Sequence, residues 1–259
     1  MRISSVPFLR HRVLALLLLI TAMLMIGCAM LEEQDKTAGW TADEFLSAGQ
    51  KQMDAGDWIG AIDTYKRLLG RFPYGRNAEQ AQLDTAYAHF KKDEPALTVA
   101  AADRFIQMHP THPNVDYAFY LKGLALFEPS DSLFDSLSGY NPANNDIGPV
   151  REAFVAYREL ISRFPNSRYA PDARKRLIYI INVLATHEVE VARYYYAMGA
   201  DVAAVNRARS VLETYRNSSA VEDALGVMVK AYARMGLSEL HSDAVRVLKL
   251  NYPDSRYLN

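Results

Sequence analysis

Cysteine is nearly missing: the 259 residues hold one, Cys28, so no internal disulfide can form and no CxxC metal knuckle exists. Charge of one sign is missing too. Against 29 Lys and Arg stand 30 Asp and Glu, and residues 1–27 carry three basic groups (Arg2, Arg10, Arg12) and no acid. From residue 28 onward the chain is mildly acidic, 26 basic groups against 30 acidic. That balance argues against a nucleic-acid partner, whose affinity comes from clustered Lys and Arg on phosphates. Collagen-like, low-complexity and multi-span membrane readings fail on composition. No G-x-S-x-G, P-loop, H-E-x-x-H or G-x-G-x-x-G signature occurs, so no common enzymatic or nucleotide motif is on offer. The chain is nevertheless half hydrophobic, enough to bury one large core or two modest ones.

The N-terminus reads as an address. The three arginines precede an apolar run from Val13 to Ile26, 14 residues long, where a spanning helix needs about 20. A basic start, a short apolar stretch and a small residue before the cut mark a secretory signal. Met25-Ile26-Gly27-Cys28 resembles the bacterial lipobox, whose cysteine is acylated on sulfur and becomes the mature N-terminus. Each buried methylene contributes about 0.8 kcal/mol, so a multiply acylated Cys28 tethers the chain to a leaflet without a spanning helix. With no Asp beside the cysteine, the pattern resembles lipoproteins sorted to the outer membrane. Residues 28–40, acidic through Glu32, Glu33 and Asp35, are expected to be a flexible tether.

The rest is a repeat. Phe72-Pro73 returns as His109-Pro110, Phe164-Pro165, Tyr215-Arg216 and Tyr252-Pro253, at steps of 37, 55, 51 and 37. Gly49, Ala86 and Gly123 keep the 37-residue step, as do Leu46, Leu83 and Tyr120. Tyr195, Met198, Gly199 and Tyr215 map in the same way onto Tyr232, Met235, Gly236 and Tyr252. Each unit reads as two helices: a small residue (Gly49) for close approach, an aromatic (Tyr65) to plug the gap, and a proline (Pro73) to stop the second helix. This is the tetratricopeptide pattern, lengthened by three from its usual period of about 34. No window alternates at period two for long. The expected fold is all-α: a tetratricopeptide-like solenoid of about five helix pairs, with N-terminal repeats over 41–127, an inserted loop over 128–148 and C-terminal repeats over 149–259. A single helical pattern from Pro171 to Met198, about 42 Å long, is expected to join the two halves. Leu133, Phe134 and Leu137 in the insertion need burial or a partner.

Stacked helix pairs present a concave face that holds other chains. In the tetratricopeptide register, the positions three before and one after the small residue line it: Leu46 and Gln50, Leu83 and Tyr87, Tyr120 and Leu124. Apolar and aromatic side chains there suit a peptide with apolar anchors; packing against the next repeat or the central loop accounts for the same residues equally simply. His109 and His112 read as turn residues rather than metal ligands, and His187-Glu188 as neighbours pointing apart on one helix. Tyr194-Tyr195-Tyr196 reads as helix packing with one ring facing outward, and Arg174-Lys175-Arg176 as a solvated helix face.

AADRFIQMHPTHPNVDYAFYLKGL (101–124), FPNSRYAPDARKRLIYI (164–180) and ARYYYAMGADVAAVNRARSVLETY (192–215) go beyond generic repeat consensus. With the lipobox, they make the chain resemble the BamD (ComL) family, lipoproteins of the outer-membrane β-barrel assembly machinery. The resemblance implies five tetratricopeptide-like repeats, no enzymatic activity and no cofactor beyond the lipid on Cys28. It implies a place at the periplasmic face of the outer membrane. The partners implied are a periplasmic domain of BamA on the C-terminal half, other lipoproteins of the machinery, and unfolded outer-membrane clients on the N-terminal half. It also matches Arg207 to the family arginine at the BamA contact, where a guanidinium can pair with a carboxylate. A periplasmic adaptor of the same fold, serving cell-wall synthesis or envelope constriction, is the alternative; a cell-wall hydrolase stands further off, because the register offers no carboxylate pair.

Overall fold

A computed structural model describes residues 37–127 and 146–258. The signal segment 1–27, Cys28 with most of the tether, and the 128–148 insertion up to residue 145 lie outside the described residues, Leu133, Phe134 and Leu137 among them. The described residues form ten helices: α1 (Ala42–Asp54), α2 (Trp58–Arg71), α3 (Arg76–Lys91), α4 (Pro95–Met108), α5 (Val115–Leu126), α6 (Gly148–Arg163), α7 (Ala170–Ala197), α8 (Asp201–Thr214), α9 (Val221–Arg234) and α10 (Ser238–Asn251). Residues up to Glu44 form a unit of their own. Within it Thr41 and Glu44 close a capping box at the head of α1: the Thr41 N–H donates to the Glu44 carboxylate at 2.7 Å, and the Glu44 N–H donates back to the Thr41 hydroxyl at 3.3 Å.

From Phe45 onward the helices pair as the repeat demands. Gly49 has no side chain because the Tyr65 ring of α2 lies against it; a Cβ there would sit 2.2 Å from that ring. Two repeats later, Gly123 receives Tyr157 of α6 in the same way, at 2.5 Å. The small residue and the aromatic plug are thus one lock, used in the first and third pairs. In the turns joining a pair, the chain passes through a left-handed residue, at Gly56 (φ 76°), Gly199 (φ 77°) and Gly236 (φ 70°). The second pair has Asp93 at that step, held at φ 57°.

From α2 on, each helix packs against the next, and the first helices of neighbouring pairs also touch, α3 with α5 and α7 with α9. The core is therefore a run of inter-helix layers. The long helix α7 belongs to two of them. Ala173, Ile180 and Leu184 join the core formed with α5 and α6, while Ala185, Val189 and Ala192 join the one formed with α8 and α9. Twenty-eight residues without a break give it a place in both halves. Among the described residues no helix is long and apolar enough to cross a membrane.

Candidate functional site: an aromatic strip and a two-arginine carboxylate

The expected peptide-lining residues do not share one environment. Leu83 is 2% exposed and belongs to the core with Phe105 and Val115, so it packs repeats together and lines no open face. Its position recurs at the 37-residue step, but the turn of α3 carries it inward. Leu46 is half-buried and Gln50 exposed on α1. Leu124 faces a small cleft with Phe90, Pro95 and Phe127, away from the tyrosines.

Tyr87 and Tyr120 anchor something larger than the sequence indicated. Trp58, the first residue of α2, meets Tyr87 of α3 edge-on with ring centroids 6.1 Å apart. Tyr87 faces Tyr117 of α5 at 6.5 Å, Tyr117 faces Tyr169 at 5.1 Å, and Tyr169 stacks on Tyr120 at 4.8 Å and 20°. Five rings thus run without a gap across three successive repeats. Such contacts contribute about 0.5–1.5 kcal/mol each beyond area burial. Sequence reasoning missed Trp58, Tyr117 and Tyr169. The signal for Tyr117 was its place one turn before Tyr120; Tyr169 sits in an inter-repeat turn, where no periodicity points.

Polar groups hold the strip. The Tyr120 hydroxyl donates to Asp172 at 2.7 Å, and Arg176 donates to the same carboxylate oxygen at 2.6 Å. Arg176 is thus a paired and half-buried residue, not part of a freely solvated face. Burial works to raise the Asp172 pKa, but the hydrogen bonds from Tyr120 and Arg176 and the charge of Arg176 outweigh it, and the net shift is downward. Burial first, then the hydrogen bond to Asp172, pushes the Tyr120 phenol up to about 12. Burial, reinforced by Tyr87, Tyr169 and Asp84, raises that of Tyr117 as well. Both phenols stay protonated at neutral pH, and that of Tyr120 keeps donating to Asp172. Asp116 accepts from the Ser167 hydroxyl at 2.6 Å, which ties the Tyr169 turn to α5.

The second site surrounds Glu188. This carboxylate is 6% exposed on α7, and it is reached from two directions: Arg151 of α6 donates to one oxygen at 3.2 Å and Arg207 of α8 to the other at 3.1 Å. Both arginines are about half exposed. Arg207 is thus neither buried nor idle. It holds a buried acid with part of its guanidinium while the rest faces solvent, and Arg151 shares the task from the preceding repeat. In the sequence Glu188 stands out only as the neighbour of His187.

The remaining singled-out residues take structural places. His109 and His112 flank the Phe105 ring, each at 5.1 Å, near Glu79. Among the described residues no group of three or more His, Cys, Asp or Glu is placed to hold a metal. Tyr195 and Tyr196 pack on the core while Tyr194 stays 61% exposed.

The described residues thus present an aromatic strip tied to Asp172 through the Tyr120 hydroxyl, and a buried carboxylate shared by two arginines. Comparison with known proteins shows the family. The family model described as YfiO, outer membrane lipoprotein, matches residues 39–248. The outer membrane protein assembly factor BamD of Neisseria meningitidis serogroup A is 40% identical over 236 residues, 90% of this chain and 88% of the relative. Those of Xylella fastidiosa (34% over 242 residues, 93% and 83%) and Vibrio cholerae (31% over 233 residues, 90% and 96%) agree. These relatives are named as assembly factors, not as enzymes. Matched over most of its length by the family model and by each of these relatives, the chain belongs to the YfiO family of outer membrane lipoproteins, the BamD assembly factors.

Proposed function

We propose that this assembly factor is a lipid-anchored scaffold of the outer-membrane β-barrel assembly machinery, holding an unfolded client segment on the aromatic strip and a periplasmic domain of BamA through Arg207. The observation that carries the client half is the unbroken row from Trp58 to Tyr120 across three repeats. Aromatic rings spaced along successive helices offer anchor points for alternate side chains of an extended peptide. The half-exposed guanidinium of Arg207 supplies the partner half: a planar donor already oriented by Glu188, with donors left to meet a carboxylate. Acylation of Cys28 keeps both at the periplasmic face of the outer membrane.

Photo-crosslinking of the full chain to peptides copied from barrel-client C-termini tests the client half. Tyr87→Ala and Tyr120→Ala each reduce crosslinking, Tyr87→Ala with the smaller effect on folding because only ring contacts tie it. Undiminished crosslinking in both retires the strip as the client site. A mild-detergent pull-down from membranes recovers a BamA-like barrel protein in near-stoichiometric amount; recovery of cell-wall synthases in its place returns the adaptor reading. Cys28→Ser leaves the membrane fraction after a carbonate wash, and persistence there refutes the anchor.

A further inference from the structure

On the other side of α3 from the plug of the first pair lies an open cleft of about 660 Å³. The walls are α2 (Ile62, Lys66, Leu69) and α4 (Leu97, Ala101, Arg104, Met108), and the floor is α3 (Gln82, Thr85, His89). The exposed ring of Tyr74 closes one end. The repeat shows how such a place looks when the chain fills it. Thirty-seven residues on, Gln82 becomes Phe119, which is 7% exposed and packs against Phe164 with Arg163 laid over its ring. Thr85 becomes Lys122 and Lys66 becomes Asp103, and these two form an ion pair at 2.7 Å. The first cleft lacks both devices. Its floor is polar, its walls keep Leu97 and Met108 about half exposed, and its lining holds Lys66 and Arg104 on opposite walls with no Asp or Glu.

We infer that this cleft is a docking site for an acidic amphipathic helix of a partner protein. The lining runs from Ile62 to Leu69 on one wall and from Leu97 to Met108 on the other, about 11 and 17 Å, the length of two to three helical turns. An apolar stripe at i, i+3/i+4 and i+7 fits between Leu69 and Leu97 in the helix-in-groove mode. Carboxylates on both flanks of that stripe meet Lys66 on one side and Arg104 on the other, the pairing that Asp103 and Lys122 make internally one repeat later. A basic or uniformly apolar occupant leaves both cations without a counter-charge. This surface is separate from the aromatic strip, so its failure and the failure of the client reading are independent.

The test uses the full chain and a fluorescein-labelled helical peptide of about 15 residues with a leucine stripe and glutamates on both flanks, against a twin with lysines in place of the glutamates. Fluorescence anisotropy at physiological salt reads the affinities. The acidic peptide binds at least about tenfold tighter than its twin, and Lys66→Glu with Arg104→Glu reverses that order. Ala101→Trp, which fills the cleft from its α4 wall, weakens the acidic peptide, while Tyr87→Ala leaves it unchanged. Equal affinity for the two peptides, an order that survives the double reversal, or loss of binding in Tyr87→Ala overturns the inference. The two charge reversals are at surface side chains, so they remain informative where the tryptophan variant folds poorly.

Discussion

Arg207→Glu perturbs two things at once, and the structure separates them. The side chain holds Glu188, a carboxylate 6% exposed whose other support is Arg151 at 3.2 Å. Two like charges about 5 Å apart repel by roughly 3 kcal/mol at an effective dielectric of 20. Arg207 is 48% exposed, so the new carboxylate swings partly into water and is screened, which brings the cost to about 2 kcal/mol. Arg207→Ala leaves Glu188 with one partner instead of two and costs about 1 kcal/mol, less than the roughly 3–5 typical of orphaning a buried charge, because Arg151 stays. For a chain of this size each kcal/mol moves Tm by about 2–4 °C. Adding the lost contact to the repulsion, calorimetry shows a drop of about 2–4 °C for Arg207→Ala and about 6–12 °C for Arg207→Glu. The decisive sample is Arg207→Glu with Glu188→Gln: removing the buried negative charge restores much of the lost Tm but not the capture of a carboxylate-bearing partner. Tm of Arg207→Glu within about 1 °C of wild type, or no recovery in the double variant, refutes the claim that this arginine holds the buried Glu188 of the neighbouring helix. A purely partner-facing arginine, as its match to the family position implies, gives unchanged Tm; the Glu188 contact predicts otherwise.

Gly123→Ala drives a methyl into the Tyr157 ring, and overpacking of this kind costs about 1–3 kcal/mol, read as a lower denaturation midpoint; an unchanged midpoint means the ring yields freely. Asp93→Gly relieves a left-handed residue at the turn position where three other repeats use glycine, and raises stability by about 0.5–1 kcal/mol in urea unfolding, with no gain refuting strain at Asp93. The depressed pKa of Asp172 makes its stabilisation present above its unfolded value of about 3.9 and lost as pH falls through the lower folded value. Asp172→Asn accordingly lowers Tm at pH 7 and by less below about pH 3, and a deficit independent of pH refutes a charge-based role.

The helices and their order are legible in the residues alone. Gly49, Tyr65 and Pro73 state a local requirement, since close approach, a plug and a helix stop each act within one pair, and the 37-residue step repeats it down the chain. For the same reason the limits of α7 were legible: a helical stripe uninterrupted by glycine or proline after Pro171 has no place to break. What each stripe faces was not local. Leu83 and Tyr87 lie four residues apart on α3, yet one is sealed in the core and the other joins the aromatic strip, because the turn of the helix against α4 and α5 decides it. The strip draws on Trp58, Tyr87, Tyr117, Tyr120 and Tyr169, from three repeats and one turn. No spacing rule links residues up to 111 apart in the chain. Arg207 shows the same division. Its match to a family position was visible in its neighbours, but its partner lies 19 residues earlier on another helix and is shared with Arg151 from the preceding repeat. These groupings arise in three dimensions, because contact between stacked repeats depends on how each helix is rotated against its neighbours. Hydrophobic period fixes that a helix has a buried side, while packing fixes which neighbour each side chain meets.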